Sequence, residues 1–196
     1  MRISRVVIAS SNPGKLREFA DILPAGFGLT PQSALDVPYV EESGKTFIEN
    51  AIIKARNASR HAKLPAIADD SGLEVDFLGG SPGVYSARYA GPGATDADNI
   101  EKLLNELKGV TGEYRTARFH CVIALLYDSD DPHPLICEGA WEGLIRNRPC
   151  GKNGFGYDPV FHVPTHNCSA AELDTAVKNQ LSHRAQALRK LQAVLE

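Results

Sequence analysis

Two apolar runs of equal length, Ala117 to Tyr127 and Leu135 to Ile145, flank the turn-forming stretch Asp-Ser-Asp-Asp-Pro-His-Pro. Long runs joined by so short a polar connection read as an antiparallel hairpin. A chain with such a hairpin has to build a sheet around it, and the N-terminus says of what kind. Arg5-Val-Val-Ile-Ala9 reads as a buried strand, Ser10 to Lys15 breaks it with turn residues, and Leu16, Phe19, Ala20 and Leu23 recur at helical spacing. A strand-loop-helix opening combined with a long hairpin predicts an α/β fold with a mixed sheet.

The remaining segments fit that plan. Thr46-Phe-Ile-Glu49 is a capping-box pattern that starts a second helix with Phe47, Ala51, Ala55 and Ala58 as its apolar stripe. Asn50 and Lys54, four apart, share a neighbouring face of it. Leu64 to Ala68 reads as a strand ending in Asp69 and Asp70, followed by a turn at Ser71-Gly72 and a second strand over Leu73 to Phe77. Residues 79–94, rich in Gly and Pro, read as a loop of a length that usually serves function. Thr95 can cap a helix carrying Ile100, Leu103, Leu104 and Leu107. Residues 150–159 form another glycine-rich loop, Val160 to Val163 a short strand, and Leu181, Ala185, Leu188 and Leu191 one side of a C-terminal helix. No repeat or linker interrupts the 196 residues, which are expected to form one domain, 1–196, with one or two lobes.

Charge and cysteine use narrow the function. A net charge of −3 gives no basic excess for binding nucleic acid or a membrane surface. No apolar run approaches the ~20 residues that span a bilayer, and residues 1–9 are too short and strand-like for a signal peptide. Cys121, Cys137, Cys150 and Cys168 lack Cys-x-x-Cys spacing, which favours free thiols in the cytoplasm over a disulfide scaffold or zinc site.

Four segments could carry chemistry. Ser10, Ser11, Asn12, Pro13, Gly14 and Lys15 lie between a strand end and a helix start, where backbone N–H groups, hydroxyls and one ammonium can cradle an anion. The same residues would equally serve as an ordinary helix cap. Glu41, Glu42, Asp69 and Asp70 could form one carboxylate cluster for a hard cation such as Mg²⁺, with substrate phosphates completing the shell. Turn capping explains one of the two aspartates well and both poorly. Glycines flanking Phe155 and Tyr157 would let backbone approach a flat ligand, with Asp158 accepting from ring N–H groups, unless the aromatics belong to the core. Ser182-His183-Arg184, with Lys178 upstream, offers donors for a carbonyl or phosphate, or else a polar helix face.

The order of these segments is more specific than any one of them. Ser-Asn-Pro-Gly-Lys, Glu-Glu-Ser-Gly-x-Thr-Phe-x-Glu-Asn-Ala, Ala-Asp-Asp-Ser-Gly-Leu, Pro-Gly-Val-Tyr-Ser-Ala-Arg, Gly-Phe-Gly-Tyr-Asp-Pro and Ser-His-Arg-x-x-Ala follow one another over essentially the whole chain. The sequence resembles the inosine/xanthosine triphosphate pyrophosphatase (Ham1-like) family. The resemblance implies a two-lobed α/β structure around a long mixed sheet with flanking helices and the site in the cleft between lobes. It implies Mg²⁺-dependent hydrolysis of deaminated purine triphosphates (ITP, dITP, XTP) to monophosphate and pyrophosphate, by a cytoplasmic homodimer. It further implies that Ser10 to Lys15 hold the triphosphate and that Asp70 activates water. Asp70 with Glu41 or Glu42 would bind metal. Ser71, Phe155, Gly156, Tyr157, Asp158, Lys178, His183 and Arg184 would contact the nucleotide, with Asp69 and Lys54 in support. One departure is Val177, where the family commonly has a glutamate before the lysine; a changed local ion pair is expected. Two rivals, a Maf-like pyrophosphatase with other substrates and a non-catalytic nucleotide sensor, fit the Ser-His-Arg motif and the paired acids less well.

Overall fold

The computed structural model describes residues 5–23 and 27–195; the first four residues of the stretch weighed as a signal peptide lie outside them. Among the described residues seven strands form one sheet: β1 (Arg5–Ile8), β2 (Gly28–Pro31), β3 (Ala66–Val75), β4 (Thr116–Leu126), β5 (Leu135–Ile145), β6 (Phe161–Val163) and β7 (Cys168–Ser169), in the order β2-β1-β3-β4-β5-β6-β7. β1 runs parallel to β2 and β3, while β5–β6 and β6–β7 are antiparallel, so the sheet is mixed as the sequence predicts. Five α-helices among the described residues are α1 (Pro13–Ile22), α2 (Phe47–Ala62), α3 (Asp96–Glu106), α4 (Thr175–Leu181) and α5 (His183–Leu195). The expected capping box is present at Thr46 of α2, and Thr95, expected as a cap, caps α3 in a capping box with Asp98. The hairpin turn between β4 and β5 is closed by Asp131, which accepts from Tyr127 N at 3.0 Å and His133 N at 2.8 Å.

Three expectations are corrected. Asp69 and Asp70 do not end a strand: β3 is continuous for ten residues through Asp-Asp-Ser-Gly. The turn preference of that tetrapeptide is local; β3, paired with β1 at Ala66 and Ile67 and neighbour to β4, runs on through it. The C-terminal helix is two helices, because Ser182 is extended (φ −62, ψ 153) and separates α4 from α5. Leu181 therefore does not continue the stripe of Leu188 and Leu191. Residues 79–94 contain a short 3₁₀ segment over Gly83–Arg88. It is tied down by Tyr157, whose hydroxyl donates to Ser86 O at 2.8 Å, and by Asn99, which bridges Ala87 O (3.3 Å) and Ala90 N (2.8 Å).

The chain clusters into two compact units. The first comprises the described residues of Met1–Asp70, Cys121–Gly139 and His183–Glu196. Its core includes Val6, Ile8, Phe19, Ile67, Ile123, Leu125, Leu188 and Leu191. The second comprises Ser71–His120 and Ala140–Ser182, with a core of Leu73, Leu103, Leu107 and a cluster of Phe119, Trp141 and Phe161, whose ring centroids lie 4.5–6.4 Å apart.

Candidate active site

The paired acids stand mid-strand, not at a strand end. Successive side chains on a strand point to opposite faces, so Asp69 and Asp70 address different neighbours although both are buried.

Asp70 meets α2. Lys54 Nζ donates to Asp70 Oδ1 at 2.7 Å, and Asn50 Nδ2 donates to Asp70 Oδ2 at 3.3 Å. Asn50 and Lys54 thus share the face that their spacing predicts. Lys54 also lies 2.9 Å from Glu42 Oε1. Burial raises the affinity of Asp70 for a proton above that of an ordinary carboxyl; Lys54 opposes this only in part. Burial would by itself lower the Lys54 pKa, but Asp70, Asp69 and Glu42 more than offset it, and the amine keeps its proton more firmly than usual. Glu41 is exposed, with its carbonyl accepting from Ser43 N at 3.1 Å. Of the two glutamates it is therefore Glu42 whose carboxylate joins Asp70. Two carboxylates from separate segments converge on one cation, and hard oxygen donors of this kind suit Mg²⁺. Among the described residues no group of three or more Asp, Glu, His or Cys could hold an ion, so a metal here would draw the rest of its shell from water and substrate phosphates.

Asp69 meets α1 and α5. Its Oδ2 accepts from Arg184 Nη2 at 2.8 Å and Nε at 3.1 Å, and lies 3.0 Å from Lys15 Nζ. Arg184 is 1% exposed and also pairs, through Nη1, with Glu18. Burial would raise the Asp69 pKa, but Lys15 and Arg184 prevail and hold the carboxyl far below the usual carboxylate range. The guanidinium expected against the substrate is thus engaged within the protein and organises Asp69 and Glu18. Its neighbour His183, also buried, opens α5. Glu18 escaped the sequence reading. The available signal was its place three residues after Lys15, which puts both on one helical face.

The Ser10–Lys15 loop is primarily a helix cap. Asn12 Oδ1 accepts from Gly14 N at 2.8 Å and Lys15 N at 3.2 Å, and Pro13 occupies the first turn, where a missing N–H is harmless. Ser10 Oγ accepts from Asn12 N at 3.2 Å, and Ser11 Oγ from Gln32 Nε2 at 2.9 Å. What the loop offers an anion is therefore hydroxyls and the Lys15 ammonium more than free amides.

A second cluster belongs wholly to the second unit. Lys178 Nζ donates to Asp158 Oδ2 at 2.6 Å and lies 5.0 Å from the centre of the Phe155 ring. Phe155 N donates to the same Asp158 oxygen at 2.9 Å. Gly154 has φ +78, and a Cβ there would sit 2.0 Å from Asp158 Oδ2, so a side chain would displace the carboxylate. Gly156 N donates to Asp96 Oδ2 at 2.6 Å. Tyr157 is a core residue, which leaves Phe155 as the aromatic of this loop able to face a ligand. Val177 packs against the same core, and Lys178 has its ion pair with Asp158. Ser71, half-buried, directly follows Asp70 on β3.

The chain as a whole is similar to known proteins. Residues 6–194 match the Ham1 family. A dITP/XTP pyrophosphatase of Vibrio cholerae is 55% identical over 195 residues, 99% of this chain and 98% of that one. A solved HAM1 protein from Coxiella burnetii superposes with a TM-score of 0.91 at 53% identity, covering 97% of this chain and 98% of that one. The Staphylococcus aureus Ham1 protein gives a TM-score of 0.87 at 45% identity, with 97% of both chains covered.

Proposed function

Because this chain belongs to the Ham1 family, we propose that it hydrolyses deaminated purine nucleoside triphosphates, ITP, dITP and XTP, to the monophosphate and pyrophosphate. The observation that carries the reading is the convergence of Asp70 and Glu42 on a single cation, beside a loop that presents Lys15. Such a site suits a polyphosphate bound with Mg²⁺, and it lies in a chain 55% identical to a relative named for this activity. The enzyme is proposed to act in the cytoplasm as a homodimer.

In the reaction, the oxygen of water forms a bond to the α-phosphorus while the bond from that phosphorus to the bridging α–β oxygen breaks, and the pyrophosphate leaves with the electron pair. Asp70 accepts the water proton; its raised proton affinity brings it closer to the operating pH than an exposed aspartate would be. Asp70 and Glu42 would hold Mg²⁺, which when bound neutralises phosphate charge and polarises the reacting centre. Lys15 and the hydroxyls of Ser10 and Ser11 hold the triphosphate. Asp69, fixed by Arg184, aims Lys15. Phe155 stacks on the base, while Asp158 and Lys178 bind the nucleotide. His183 is left as the donor to the 6-oxygen, and a donor set for an oxo group meets a second donor in the amino group of adenine, which discriminates strongly against ATP.

The test is pyrophosphate release from ITP, dITP, XTP, dUTP, dGTP and ATP, with and without Mg²⁺. Turnover of the first three that disappears without Mg²⁺ is expected. Preference for dUTP, or binding without pyrophosphate release, would overturn the reading in favour of a different pyrophosphatase or a sensor.

A further inference from the structure

We propose that Lys54 is a displaceable internal cation, which occupies the Asp70–Glu42 carboxylate pair until Mg²⁺ replaces it and then offers its charge to the incoming polyphosphate. The inference rests on the reading that Asp70 and Glu42 hold the metal. Lys54 Nζ lies 2.7 Å from Asp70 Oδ1 and 2.9 Å from Glu42 Oε1, so it stands where a cation shared by the two would stand. A divalent ion on the same oxygens would face the ammonium at contact distance, where like charges repel too strongly to coexist in a partly buried site. One of the two must leave.

The construction around Lys54 favours its leaving. On Asp69, Lys15 is backed by a guanidinium clamped from a different helix. On Asp70, the second donor is the neutral amide of Asn50. A lysine is a point charge on a flexible four-carbon stem with no fixed fork to hold it in register. The exchange leaves no carboxylate unpaired: Mg²⁺ takes the oxygens, and the ammonium meets phosphate charge that arrives with the nucleotide. Metal and polyphosphate should consequently bind cooperatively, each favouring the lysine position that suits the other.

The experiment measures Mn²⁺ binding by the loss of the free-ion electron paramagnetic resonance signal, for wild type, Lys54→Met and Asp70→Asn, with and without pyrophosphate. Lys54→Met should bind Mn²⁺ alone roughly tenfold more tightly than wild type, as expected when a competing charge is removed. The gain in Mn²⁺ affinity that pyrophosphate gives wild type should shrink in that variant. Equal or weaker binding by Lys54→Met, with Asp70→Asn clearly weakened, overturns the exchange and leaves the metal assignment standing. Unchanged binding by Asp70→Asn overturns the metal assignment and the exchange with it. A second measurement uses the wild-type protein and so survives a variant that fails to fold. Acylation of Lys54 by a succinimidyl ester, read by peptide mass spectrometry, should rise severalfold with Mn²⁺ and fall again when pyrophosphate is added. Labelling unaffected by the metal overturns the exchange.

Discussion

On one face of β3, Asp69 meets Lys15, Arg184 and, through Arg184, Glu18; on the other, Asp70 meets Lys54, Asn50 and, through Lys54, Glu42. Both aspartates are buried and both have a lysine within 3.0 Å. Yet their proton affinities move in opposite directions, Asp69 far down and Asp70 up. Burial and a lysine are common to both, so the further partners make the difference: Arg184 lowers Asp69, while the Glu42 carboxylate raises Asp70. A guanidinium adds a second full charge and two directed N–H bonds, whereas an amide adds one long neutral bond. A carboxylate saturated with cations is a fixed strut and a poor base. One that burial has left short of compensation keeps its affinity for a proton or a metal.

That contrast breaks most visibly through Asp70→Asn. Its kcat for dITP should fall roughly 10³-fold, the scale of a lost general base, while its melting temperature stays at or slightly above wild type, because an amide removes a carboxylate that burial disfavours. Steady-state kinetics and thermal melts read both, and near wild-type turnover would sink the role given to Asp70. Asp69→Asn should do the reverse in stability. It leaves Arg184 and Lys15 facing a neutral amide, and breaking a buried pair from one side costs about 3 kcal/mol or more, measurable by urea unfolding. Acid sharpens the difference in metal-free protein. The Asp69 contribution is present above the ordinary value of 3.8 and is lost as pH falls below it, since the folded carboxyl titrates lower. The Asp70 carboxyl titrates higher when folded, so it weakens the fold as pH rises above 3.8 and ceases to do so on acidification. The stability gap between wild type and Asp69→Asn should therefore begin to narrow only below about pH 4, whereas any advantage of Asp70→Asn should already have closed there. A gap that widens on acidification contradicts these assignments.

The same division between anchored and available side chains recurs at Gly154 to Asp158. Tyr157 is buried in the core with its hydroxyl on Ser86 O, and Phe155 is half-buried beneath Lys178. Phe155→Leu should raise KM for dITP about tenfold, the size of one lost aromatic stacking contact on a base. Tyr157→Phe should leave KM within twofold and lower stability by about 1 kcal/mol, the net value of one hydrogen bond. A Tyr157→Phe effect on KM as large as that of Phe155→Leu would return Tyr157 to the ligand.

How much of this was legible in the chain depended on the range of the interaction. The hairpin, the capping box at Thr46, the cap at Thr95 and the shared face of Asn50 and Lys54 are written within four to a few tens of residues, and the sequence shows each of them. Ser71-Gly72 reads in sequence as a turn that ends the strand at Asp69 and Asp70, because turn preference is a property of four residues, while the continuation of β3 is decided by strands far away in sequence. The Arg184 clamp was missed for a similar reason. Nothing near residue 184 announces Asp69, 115 positions earlier, or Glu18, 166 positions earlier. A polar triplet such as Ser182-His183-Arg184 looks like a ligand site in sequence whether its donors face a ligand or the protein. The Ser10–Lys15 loop stayed ambiguous because capping and anion binding call on the same residues.

That last ambiguity yields to a small substitution. An aspartate at position 12 keeps the one side-chain oxygen that accepts from both Gly14 N and Lys15 N, and aspartate caps helices as well as asparagine does. A negative charge at a helix N-terminus is itself favourable by a few tenths of a kcal/mol. Asn12→Asp should thus melt at or slightly above the wild-type temperature. If the loop also receives the triphosphate, the new charge meets phosphate oxygens across a few ångström of well-solvated space, an interaction of about 1 kcal/mol, and KM rises about fivefold with kcat little changed. If the loop only caps α1, KM stays where it was. The variant separates the two because it leaves the cap intact and alters only what an anion would feel, so a KM unchanged at low ionic strength, where the repulsion is least screened, would remove Asn12 from the triphosphate site and leave Lys15 to hold the phosphates from the Asp69 side.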